Sequence, residues 1–186
     1  MGISQQIGAS SLLKSGVCTS STRPASPYEG QVIYETDTDK TLVWNGTTWI
    51  VTAHSGAWQA WSPTYTNLTI GNGTVIARYS QVGKTVTFVF EFTLGSSGSS
   101  VGSAPAISLP VVGATVVNSW LGTARYLDNG VTNYAGAVAI LSNGIRPQTL
   151  VSSGTYAEIQ GGITATAPFT WASGDVMSIS GIYEAS

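Results

Sequence analysis

Few side chains in this 186-residue chain could do chemistry. The single histidine, His54, lies in Thr52-Ala53-His54-Ser55-Gly56-Ala57, which reads as a short hinge, so a Ser-His-acid triad would hang on a poorly anchored base. There are nine carboxylates, and glycoside hydrolysis would need two of them about 5–10 Å apart across a cleft. Most, among them Glu29, Asp37, Asp39, Asp128 and Asp175, sit in or beside predicted turns, where a solvated carboxylate is the ordinary state. Asp37-Thr38-Asp39 has the carboxylate density that hard cations favour, but it lacks the further ligands and the glycine of a calcium loop. Aspartates in β-turns cap their own backbone, which accounts for the pair without a metal. Cys18 is the only cysteine, so there is no intrachain disulfide and no cysteine zinc cluster; it reads as a small semi-buried residue of a protein made in a reducing cytoplasm. No GxGxxG opens a helix and no P-loop is present, so no cofactor is expected. The expectation is a chain that is not an enzyme.

Composition narrows the class further. Only 9% of residues are charged, against a usual value of about 25%. Hydrophobics at 42%, with 6 Trp and 8 Tyr, set the chain apart from disordered sequences, which have too little apolar surface to bury. A net charge of −2, with seven cations scattered from Lys14 to Arg146, leaves no footprint for nucleic acid. Residues 1–16 have no apolar core of signal-peptide length, and no run approaches the roughly 20 apolar residues of a membrane helix. Apolar surface with so little charge suits a protein that lives in an assembly.

The elements able to position any site are strands. Residues 1–27 hold few β-branched residues and end in Arg23-Pro24-Ala25-Ser26-Pro27, which reads as an extended arm, with Ile3, Ile7, Leu12 and Leu13 as a short apolar docking set. Residues 28–52 read as a three-stranded β-meander: a strand at 31–36, the polar turn Asp37-Thr38-Asp39-Lys40, a strand at 41–44, a two-residue type I′ turn at Asn45-Gly46 and a strand at 47–51. A sheet that small needs a partner, which copies of the chain would supply. Its candidate interface residues are Val32, Tyr34, Trp44 and Trp49. A hinge at 53–57 precedes the main domain, 58–186.

The clearest strand of that domain is 84–94, with Val86, Phe88, Phe90, Phe92 and Leu94 on one face and Thr85, Thr87, Val89, Glu91 and Thr93 on the other. Further strands are expected at 65–70, 74–81, 118–127, 132–141, 155–160 and 176–184, separated by Asn-Gly and Gly-Gly turn signals. Residues 95–100 read as a flexible Gly-Ser loop. Regularly spaced strands without a helical period predict an antiparallel β-sandwich of jelly-roll type, so the fold class is all-β throughout. The sequons at Asn45, Asn67 and Asn72 read as turn chemistry, and the six tryptophans as core or subunit interface, with stacking on a glycan as the alternative for an exposed aromatic.

The run Thr22-Arg23-Pro24-Ala25-Ser26-Pro27-Tyr28-Glu29-Gly30-Gln31-Val32-Ile33-Tyr34-Glu35-Thr36-Asp37-Thr38, followed by Leu42-Val43-Trp44-Asn45-Gly46-Thr47-Thr48-Trp49, resembles a module of tailed-bacteriophage minor tail, collar and fibre proteins. Trp61-Ser62-Pro63-Thr64-Tyr65-Thr66, Gly71-Asn72-Gly73-Thr74, Ala77-Arg78-Tyr79, Gly83-Lys84-Thr85-Val86, Ala167-Pro168-Phe169-Thr170-Trp171 and Gly174-Asp175-Val176 are similar to C-terminal domains of phage minor tail proteins. The resemblance implies a virion structural protein assembled in the host cytoplasm: a homotrimer anchored to other virion proteins by residues 1–27. The domain at 58–186 would then face outward for multivalent attachment, with a host-surface glycan as its partner. Members with similar ends are often much longer, so a head fibre or a decoration protein without a receptor is the alternative, and a lectin-like carbohydrate-binding module a further one.

Overall fold

The computed structural model describes residues 16–54, 58–116, 120–152 and 156–186, apart from the side chains of Ala53, His54 and Gln160. Every regular element among them is a strand. The chain divides into two compact units, Met1–Ser55 and Gly56–Ser186.

In the first unit β1 (Gly16–Cys18), β2 (Val32–Glu35), β3 (Lys40–Trp44) and β4 (Trp49–His54) form one sheet in that order. The meander is thus four-stranded and mixed rather than three-stranded, because residues 16–18 of the expected arm lie parallel to β2, with Val17 opposite Tyr34. Thr52, Ala53 and His54 belong to β4, with His54 opposite Lys40, so the strand runs into the expected hinge. Trp44 faces Trp49, which makes the Asn45-Gly46 connection four residues long instead of two. The physical reason is the Asn45 side chain, whose Oδ1 accepts from the Thr47 and Thr48 N–H groups at 3.0 and 2.7 Å and closes a wider turn.

The second unit is an antiparallel sheet of ten strands: β5 (Gln59–Ala60), β6 (Tyr65–Thr69), β7 (Thr74–Val82), β8 (Thr85–Thr93), β9 (Ser100–Ile107), β10 (Trp120–Asp128), β11 (Thr132–Leu141), β12 (Gly144–Ser152), β13 (Ala157–Gly162) and β14 (Val176–Glu184). Its order is β5-β7-β8-β14-β10-β11-β12-β9-β6, with β13 also on β12. The two end strands, β5 and β6, are joined by only four residues. Trp61 N–H donates to Ala77 at one end of the sheet and Thr64 C=O accepts from Ser108 N–H at the other. The three Cα–Cα steps from Trp61 to Thr64 reach at most about 11 Å, so the sheet must curl until its ends meet.

That curl encloses the core. The alternating face of β8 is its centre, with Val86, Phe88, Phe90 and Phe92 at most 1% exposed, joined by Tyr126, Val138, Ile140, Ile145, Met177 and Ile179 from four other strands. Tyr126 lies over Gly136 of the neighbouring strand to donate to the Gln148 carbonyl one strand further on, at 2.9 Å. A Cβ at Gly136 would stand 2.3 Å from that ring, so only glycine fits. Burial raises the Tyr126 hydroxyl pKa well above its ordinary value. Tyr183 is pushed up to about 12 by burial, and its hydroxyl donates to the Val111 carbonyl at 2.7 Å.

The expected flexible loop at 95–100 is instead pinned. Ser97 N–H donates to Asn72 Oδ1 at 2.8 Å, Asn72 N–H to the Ser97 carbonyl at 3.0 Å, and Ser99 Oγ to the Ile70 carbonyl. Gly71 approaches Gly98 too closely to carry a Cβ.

Candidate functional site

Two surfaces hold the groups that could contact a partner, one on each unit. In the small sheet, period-2 alternation separates two faces. Ile33, Leu42 and Glu35 point to a covered face and are at most 2% exposed. Because β1 and β2 are parallel, the 19–31 connection must cross a face of the sheet, and it crosses this one: Arg23 Nε donates to Glu35 Oε1. Thr38 Oγ1 donates to the other oxygen of Glu35 at 2.6 Å. The Arg23 hydrogen bond holds the Glu35 carboxyl below its ordinary range, against the opposing effect of burial. Asp37 is lowered by Ser20, which donates from Oγ at 2.6 Å and from N at 2.9 Å. Asp39 accepts from the Tyr34 hydroxyl at 2.7 Å. The two aspartates therefore serve different polar partners, and no group of three His, Cys, Asp or Glu gathers among the described residues.

The opposite face is open. Cross-strand register puts Val17 beside Tyr34, and Val32 beside Val43 and Ile50. Val17, Val32 and Ile50 are 69, 38 and 44% exposed. The four interface candidates consequently split. Val32 and Tyr34 share this open apolar face, whereas Trp44 and Trp49 lie on the covered face with Leu42 and Val51, their rings edge-on at 5.5 Å. Val17, Val43 and Ile50 complete the open face. The alternation of 49–52 was a signal for Ile50, but Val17 had none, because nothing local marks residues 16–18 as a strand. Ile3, Ile7, Leu12 and Leu13 lie outside the described residues.

On the larger unit, the solvent face of β7, β8, β14 and β10 carries a groove of about 480 Å³. Two cross-strand rows form its floor: Arg78, Val89, Ser180 and Thr123, then Ile76, Glu91, Ser178 and Arg125. Thr123 Oγ1 and Ser180 Oγ are hydrogen-bonded at 3.0 Å, and Ser178 Oγ donates to Glu91 at 3.0 Å. The only ion pair among the described residues is Arg23–Glu35, so neither groove arginine has a carboxylate within salt-bridge distance. Polar alternation in 84–94 predicts that Glu91 faces solvent. That Arg78 and Arg125 flank it depends on strand order, which sequence spacing does not disclose.

The remaining chemistry-bearing residues are occupied structurally. Asp175 is buried and accepts from Asn129 N–H at 2.9 Å and Ala172 N–H at 2.6 Å. The three sequon asparagines do turn work: Asn67 sits at φ 53° in the β6 bulge and donates to the Ser103 carbonyl, and Asn45 and Asn72 close the turns described above. Trp61, Trp120 and Trp171 pack against the core. The exposed Tyr28, Trp58 and Tyr156 do not line this groove. Cys18 is a free thiol whose pKa is raised by burial and by Glu35. Comparison with protein families, with curated proteins and with solved structures finds no match for this chain.

Proposed function

We propose that the chain is a non-enzymatic structural component of a tailed-phage particle: a short homotrimeric fibre whose small sheet drives assembly and whose larger unit faces the host surface. The observation that carries this reading is the open apolar face of the small sheet, Val17, Val32, Tyr34, Val43 and Ile50, on a unit too small to spend that much apolar surface on solvent. The resemblance of residues 22–49 and 61–176 to minor tail and fibre modules points to the same class. Three weak sites on one body would gain avidity without a tight site. The finer fold, a jelly-roll sandwich, belongs to the same proposal; the non-sequential neighbours β8–β14 and β12–β9 are crossovers of the Greek-key kind and support it.

The deciding experiment is gold labelling of intact particles with an antibody against residues 58–186. Label at the tail supports the attachment fibre. Label over the head favours the second reading, a head fibre or decoration protein, and unlabelled particles reject both. Assembly has its own test. The purified chain should sediment at three chain masses, and Ile50→Lys, which sets a charge in the open face, should give monomers that retain the strand spectrum. A monomeric wild-type chain would rule out the trimer.

A further inference from the structure

We propose that the groove across β7, β8, β14 and β10 binds an acidic saccharide, its anionic group held by Arg78 and Arg125 and its hydroxyls by Glu91, Thr123 and Ser180. Charge composition makes the groove unusual for this chain. It concentrates two of only seven cations, and neither has a carboxylate partner. Strand register holds their Cα atoms three strands and two residues apart, on the order of 16 Å, and both side chains are exposed and long enough to reach inward.

Glu91 decides between ligand classes. A simple anion held by the arginines gains nothing from a carboxylate on the floor, and a cation is repelled from both ends. A ligand that carries an acid group and also donates hydroxyl protons satisfies all three charges. The Thr123–Ser180 hydroxyl pair can turn outward to donate or accept, and Val89 and Ile76 give an apolar strip for the C–H face of a sugar ring. The volume, about 480 Å³, falls within the roughly 300–1,000 Å³ of small-ligand sites. The acid group could be a uronate-type carboxylate or a phosphodiester between polyols, since arginine recognises both through the same paired donors.

This inference deepens the attachment reading and rests on it for its biological meaning, though not for the binding itself. The test is calorimetric titration of the full chain with four probes: a galacturonate trimer, a glycerol-phosphate oligomer, the neutral maltotriose and inorganic phosphate. Binding is expected for one or both acidic probes, weakening as salt is raised, and about tenfold or more weaker in Arg78→Gln and in Arg125→Gln. Arg146→Gln, outside the groove, should leave it unchanged. Galacturonate alone assigns the carboxylate source, and glycerol phosphate alone the phosphodiester. Binding of neither, equal affinity for inorganic phosphate, or binding that survives both arginine replacements overturns the site. Labelled particles with no saccharide binding would sink the site and leave the virion reading standing. Saccharide binding with unlabelled particles would do the reverse.

Discussion

Phe88→Ala should destabilise the unit formed by residues 56–186 by about 3–5 kcal/mol, the range for deleting a fully buried phenylalanine. Phe88 is 0% exposed at the centre of the curled sheet, with ring centroids 6.1 Å from Trp61 and 6.2 Å from Tyr183. Its cross-strand partner is Gly181, where an added Cβ would lie 3.0 Å from the Phe88 ring and 2.5 Å from Ile140 Cδ1. The glycine therefore makes the room that the phenylalanine fills. Two consequences can be measured. In thermal melts Phe88→Ala should lower Tm by about 10 °C or more, whereas Phe88→Leu should cost under about 1.5 kcal/mol. Gly181→Ala should be destabilising by itself yet clearly less so in the Phe88→Ala background, because the vacated ring space removes the 3.0 Å contact and gives Ile140 Cδ1 room to move off the added methyl. Additive effects would show that the two positions do not share that space, and the packing argument would fail.

The same strand shows what the sequence makes legible. Period-2 alternation with five large apolar residues on one side admits one orientation, and all five are buried. The strands at 132–141 and 176–184 have the bounds expected from their turn signals. β9 and β12 are not among the strands expected from sequence: Gly102 and Pro105 interrupt one and Pro147 the other, and proline argues against an interior strand. Pro147 is tolerated because of where it falls. Its carbonyl accepts from Ile163 N–H, so its missing N–H lies on the side away from β11, where β9 gives way to β13. β1 is not marked in the sequence because a three-residue parallel strand is too short to show a period, and the Thr19–Thr22 turn that follows it carries no Gly, Pro or Asn.

The candidate surfaces were legible to different depths. Of the four interface candidates, alternation puts Val32 and Tyr34 on the open face, while Trp44 and Trp49 lie on the other face, packed against each other. The groove was hidden more thoroughly. Arg78, Glu91, Arg125 and Ser178 are each on a strand expected from sequence, but Glu91 and Ser178 meet across 87 residues of chain. Local pattern gives faces, whereas a binding site on a sheet needs neighbours.

Arg23→Ala is the change with the largest expected effect on the small sheet. It removes the ion-pair partner of Glu35, whose carboxylate is 0% exposed in the wild-type chain, and leaves Thr38 as the remaining hydrogen-bond donor. Orphaning a fully buried partner costs roughly 3–5 kcal/mol, and because Arg23 is itself 38% exposed the expected loss is about 2–3 kcal/mol. A loss of that size should unfold much of a unit this small. The pH dependence gives the argument its sign. The Glu35 pKa is lowered in the folded state, so its contribution is complete above the ordinary value of 4.5 and is lost as pH falls through that value to the folded one. Asp37, lowered by Ser20, follows below its ordinary 3.8. Without Arg23, burial opposes ionisation of Glu35, and acid should relieve rather than worsen the variant. The gap between wild type and Arg23→Ala should therefore be widest near neutral pH and narrow as pH falls below the ordinary Glu35 value of 4.5, in urea titrations followed by the indole N–H signals of Trp44 and Trp49. Arg23→Met with Glu35→Leu should recover most of the loss, since apolar groups of similar volume leave no charge stranded. A gap that stays constant from pH 7 to 3, or a double variant no better than Arg23→Ala, would mean that this pair does not hold the 19–31 connection to the sheet.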